Sequence, residues 1–140
     1  MASFTTQKIN NLYASYKQIE VTFNREVIKN TGLQTRHILL KCLGEAWPCV
    51  IYSSSMSGAK ILINAKAKLI EKIKKSNNLV SLHYKFLPNP DEEPIIFFVA
   101  ARVAGLSPYG EAEQNNFFLT LNFTQLPPDD LIEILGILLE

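Results

Sequence analysis

Between two apolar runs the chain carries Tyr52-Ser53-Ser54-Ser55-Met56-Ser57-Gly58-Ala59-Lys60-Ile61, a small-polar corner ending in glycine. Serine hydroxyls and exposed backbone N–H groups in such a corner can bind an anion, and Gly58 can take a positive φ or admit a ligand close to the backbone. The same residue types also build a tight turn with no ligand at all. Other chemistry-bearing residues are scattered. His37 and His83 fall on predicted strands without a nucleophile and carboxylate in a recognised arrangement, and Asp91-Glu92-Glu93 and Asp129-Asp130 read as loop and helix-cap acids. Neither Gly-x-x-x-x-Gly-Lys nor Gly-x-Gly-x-x-Gly occurs. Cys42 and Cys49 lie on two predicted strands, with the histidines at no metal-ligand interval from them, so buried free thiols are expected. The residues point to binding rather than catalysis, with no metal and no cofactor.

The 140 residues, 47% hydrophobic and 19% charged, suffice for one packed core. A net charge of +1 argues against a broad electrostatic grip on nucleic acid. No apolar run is long enough for a membrane span, and Met1-Ala2-Ser3-Phe4-Thr5-Thr6 has neither a basic start nor an apolar stretch for secretion, which predicts a cytoplasmic protein.

Positioning elements follow from periodicity. Ile9, Leu12, Tyr16, Ile19 and Phe23 recur at steps of three and four, predicting one long helix from about Thr5 to Lys29, capped by Ser3 or Thr5 and stopped near Gly32. Its length suits either a partner contact or packing on its own domain. From Leu33 to Phe123 short β-branched and aromatic runs predict six strands, near 36–43, 47–53, 59–64, 79–87, 95–106 and 116–125. A short lysine-rich helix starts near Ala67, and Pro88 to Pro94 forms a hairpin loop. Pro127-Pro128-Asp129-Asp130 opens a final helix with an apolar stripe of Leu131, Ile134 or Leu135, Leu138 and Leu139. The predicted organisation is a helical segment, residues 1–32, followed by a mainly β unit, residues 33–140.

From Leu33 to Leu139 the order of elements resembles a PilZ domain. Three segments carry the resemblance: Ser53 to Ile61, the late strand Phe98 to Gly105, and the run Phe118 to Leu126 leading into the last helix. It implies a six-stranded antiparallel PilZ-like β-barrel with a C-terminal helix, here preceded by the long N-terminal helix. It also implies a non-enzymatic receptor for cyclic-di-GMP that relays the level of this messenger to motility or related machinery. The family holds the ligand with Arg-x-x-x-Arg ahead of the barrel, where two guanidiniums fork onto phosphates and stack on guanines. Its second motif is an acidic or amide residue followed by x-Ser-x-x-Gly. Carried over, these motifs make Arg25, Lys29, Ser53, Ser55 and Gly58 the candidate ligand-binding residues, with Arg36, just before the first strand, as an alternative phosphate or base contact.

The match departs at two places. Lys29 stands where the second arginine belongs, and Ser53 where the acidic or amide residue belongs. Losing two charge-assisted contacts, at about 1.5–3 kcal/mol each, weakens binding by roughly two to four decades. Arg25 and Lys29 equally suit the solvated end of a helix. Two functions follow: a cyclic-di-GMP receptor or adaptor acting through protein partners, or an interaction module that no longer holds the nucleotide. In either, a protein partner or a second copy would meet the N-terminal or C-terminal helix; nucleic acid is not an expected partner.

Overall fold

The computed structural model describes residues 5–139. Inward residues alternate along the strands, with Val80, Leu82, Tyr84 and Phe86 on β5 (Leu79–Phe86) and Ala59, Ile61 and Ile63 on β4 (Gly58–Asn64). Period-two burial with polar or half-exposed residues between is what a sheet with one dry face requires. The remaining long strands are β2 (Leu39–Cys42), β3 (Glu45–Ser54), β6 (Ile95–Pro108) and β7 (Asn116–Phe123). Every pairing is antiparallel, in the order β3-β2-β5-β6-β7-β4, and β4 returns to β3 to close a six-stranded barrel. Closure leaves no long unpaired edge.

The N-terminal segment departs from the expected single helix. It folds as α1 (Thr6–Tyr16), a two-residue strand β1 (Val21–Thr22) and α2 (Arg25–Thr31). Thr5 caps α1 by accepting from the Lys8 N–H; Ser3, the other expected cap, lies outside the described residues. The break has a local and a distant cause. Asn24 Oδ1 accepts from the Val27 N–H at 2.9 Å and so starts a second helix, while Val21 and Thr22 pair with Ser54 and Ser53 on β3. Ile19, a member of the helical repeat, is 47% exposed, whereas Val21 is buried. Gly32 does end α2, at φ 70°.

Two helices fill the remaining core positions. In α3 (Ala67–Lys75), Leu69 and Ile73 point inward. In α4 (Asp129–Leu139) every residue from Leu131 to Gly136 is buried, more than a single stripe. The extra burial comes from α1: a Cβ on Gly136 would lie 2.7 Å from Leu12 Cδ1, so glycine lets the two helices meet closely. The apolar residues Ile9 and Leu12 of α1 are thereby covered within the chain and share one core with the barrel. Cys42 and Cys49 are both buried and free. Among the described residues no helix is long and apolar enough to cross a membrane.

Candidate functional site

The serine-glycine corner forms where β3 turns into β4. A bulge between Ile51 and Ser53 breaks the inside-outside alternation, so Ser53, Ser54 and Ser55 are all buried. Each hydroxyl has a partner. Ser53 Oγ donates to Glu20 Oε1 at 3.4 Å; Ser54 Oγ donates to the Ser55 carbonyl at 3.0 Å and lies 3.5 Å from the Tyr84 hydroxyl inside the barrel. Burial holds the Tyr84 phenol well above its usual range. Ser55 Oγ lies 3.0 Å from Ser57 Oγ and accepts the Ser57 N–H at 3.1 Å. Met56, at the tip of the corner, is fully buried. Gly58 is needed because a Cβ there would run into the Leu121 carbonyl on β7, so the close approach is made by a neighbouring strand.

Beside this corner lies an open cleft of about 310 Å³, lined by Gln18, Glu20, Ser55, Gly58, Lys60 and Asn122 among others. Lys60 Nζ sits 3.2 Å from Glu20 Oε1, so the strongest charges in the cleft are already paired. An anion entering it has to meet Lys60 while avoiding the Glu20 carboxylate.

The basic candidates fall in two other places. Arg25 and Lys29 are exposed one turn apart on α2. The start of α2 is held near the outer end of β3, since Thr22 pairs with Ser53 and the Phe23 N–H donates to the Tyr52 carbonyl at 2.8 Å. Neither side chain lines the cleft. Arg36, on a short 3-10 turn, lines a separate groove of about 440 Å³ with Pro48, Val50, Leu62 and Tyr109. That groove reaches Asn64, six residues along β4 from Gly58, or roughly 20 Å. The fold therefore brings the α2 cations to the corner's neighbourhood and leaves Arg36 at a distance.

The sequence alone does not single out Glu20 and Lys60. Lys60 was visible within the Ala-x-Ile that follows Gly58, but Glu20 was hidden inside the predicted long helix. No group of three or more histidine, cysteine, aspartate or glutamate side chains that could hold a metal occurs among the described residues.

A closed antiparallel barrel with this corner, flanking helices and preceding basic step defines the PilZ class of domain. The PilZN3 domain family model matches residues 7–140, and the chain belongs to that family. It is 37% identical, over all 140 residues, to a cyclic di-GMP binding protein of Treponema denticola, of which the match covers 45%. The fold superposes with a TM-score of 0.73 on the PlzA protein of Borreliella burgdorferi, crystallised in complex with c-di-GMP. That match is 26% identical and covers 96% of this chain and 55% of PlzA. The chain thus spans about half the length of these relatives.

Proposed function

We propose that this chain is a non-enzymatic regulatory module of cyclic di-GMP signalling, a receptor or adaptor that acts through protein partners in motility or a related response. The observation that carries this reading is the match of the whole chain, at 37% identity, to a cyclic di-GMP binding protein. In the proposed contact, Arg25 and Lys29 reach the phosphates from α2, and the corner around Ser53, Ser55 and Gly58, with Lys60, supplies polar groups from the barrel. Arg36 belongs to the other groove and takes no part. Because the serine hydroxyls already have partners inside the protein, this module supplies only part of the grip that a tight receptor needs.

A second reading is favoured by that same internal bonding: an adaptor that does not touch the nucleotide and works through its surface. Ile96 and Phe98 stand 65% and 58% exposed on the outer side of β6, the kind of apolar area a protein partner covers. Titration calorimetry with cyclic di-GMP separates the two. The receptor reading expects weak heat that Arg25→Ala removes and Arg36→Ala leaves unchanged. No heat and no competition at high micromolar nucleotide reject direct binding by this chain and leave the adaptor.

A further inference from the structure

The β2–β3 hairpin turns through Leu43 and Gly44, both at positive φ, 49° and 82°. A two-residue turn of this kind is built for Asn-Gly, and a leucine in its first position pays a steric penalty. Leu43 is nonetheless 54% exposed, so core packing does not account for it. Leu79 is 44% exposed and lines one shallow groove with Leu43 and Lys41. On the other flank of α3, Leu106 is 41% exposed and shares a groove with Ile70 and Lys74.

α3 adjoins both grooves, through Ile70 and Lys74 in the Leu106 groove and through Glu45 beside the hairpin. Lys66, Lys68, Lys74 and Lys75 are exposed there and Lys72 is half-buried, with Lys41 nearby on β2. Within the hairpin and the helix themselves the acidic residues are Glu45 and Glu71. Lys68 and Lys72 both reach Glu45 Oε1, at 3.0 and 2.9 Å, which ties α3 to the residue just after the hairpin turn. Cys42 Sγ, 3.5 Å from Ser76 Oγ, joins the same hairpin to the end of the helix. Lys66, Lys74 and Lys75 have no ion pair among the described residues. Since the whole chain carries only +1, the positive charge is concentrated at this end and the remainder is net acidic.

We propose that this end of the barrel is a docking surface for an anionic lipid bilayer, with Leu43, Leu79 and Leu106 entering the interface and the α3 lysines meeting lipid phosphates. Charge complementarity selects an anionic occupant, and the leucines select among anions. A phosphodiester backbone offers exposed leucines nothing to bury against, and no aromatic residue lines either groove to stack on bases. Protein interfaces draw their energy from aromatic residues and arginine and are poor in lysine, the reverse of this face. A lysine strip flanked by projecting leucines is the pattern of a peripheral bilayer contact.

Co-sedimentation of the full chain with vesicles tests this, comparing phosphatidylglycerol mixed into phosphatidylcholine with phosphatidylcholine alone. The chain is expected to partition onto the anionic vesicles only and to be released by added salt. The double variant Lys74→Gln with Lys75→Gln, which leaves both Glu45 pairs in place, should weaken partitioning about 25-fold, at about fivefold per lysine. Leu43→Asn should weaken it about tenfold. Because asparagine suits the turn, this variant should also melt at a higher temperature, so its loss of binding cannot be misfolding. No partitioning at low salt, or partitioning that Leu43→Asn leaves unchanged, would overturn the proposal. So would equal capture of wild type and Leu43→Asn by duplex DNA or by an acidic peptide.

Discussion

The two ends of β3 hold their polar and charged groups in opposite ways. At its Ser54 end, the hydroxyls of three buried serines and the Glu20–Lys60 pair already have partners within the chain, and Met56 is buried beside them. At its Glu45 end, roughly 30 Å away along the ten-residue strand, exposed leucines stand with Lys66, Lys74 and Lys75, which have no ion pair among the described residues. The end that carries the recognisable motif is thus the more self-contained, and the end without a motif holds the unspent interaction capacity. A motif reports what residue types a backbone corner accommodates; whether they bind anything depends on what else has folded against them.

The sharpest way to break this comparison is to place one methyl group at each end. Gly58→Ala drives a Cβ into the Leu121 carbonyl, and a backbone atom cannot swing aside as a flexible side chain does. It is expected to cost more than about 3 kcal/mol, read as a collapse of the denaturant midpoint. Gly44→Ala meets open space and carries only the penalty of its φ of 82°, about 1–2 kcal/mol. Comparable losses at both sites would mean that the corner is no more tightly built than the hairpin.

A smaller effect of opposite sign sharpens the contrast. Leu43→Asn relieves a left-handed leucine and should stabilise the fold by about 1 kcal/mol, raising Tm by about 3–5 °C. The smallest effect concerns His83, whose ring stacks on Phe98 at 5.3 Å. Burial, with Lys41 nearby, lowers its pKa below the ordinary 6.5. The unfolded chain then binds the proton more readily, so stability should fall as pH drops through the ordinary imidazole range and level off below the depressed folded value. A plot of Tm against pH for wild type and His83→Gln checks this; identical slopes would show that His83 does not contribute.

The barrel was legible because its evidence is local. Val80, Leu82, Tyr84 and Phe86 alternate along one strand whatever the rest of the chain does, and the observed strands fall within a few residues of those expected. The N-terminal segment was misread because Ile9, Leu12, Tyr16, Ile19 and Phe23 keep a helical rhythm that a strand contact interrupts. The preference of Val21 and Thr22 for extended backbone, and of Asn24 for a helix cap, was present in the sequence but weaker than the repeat. The site was legible in its residue types and not in their availability. Ser53 and Ser55 were rightly placed in the corner between two strands, but nothing local signals a bulge that turns Ser53 and Ser54 inward together. Nor does any local feature bring Glu20, thirty-three residues away, to accept from Ser53.

By itself the sequence determined a β scaffold of six strands with α3 and α4, because alternation, turn residues and helix-start signals act over a few residues. Only the tertiary structure decided that the first helix breaks, that Arg36 parts company with Gly58, and which polar groups already have partners within the chain. Those outcomes depend on contacts between residues far apart in the chain, whose geometry no short window of sequence contains.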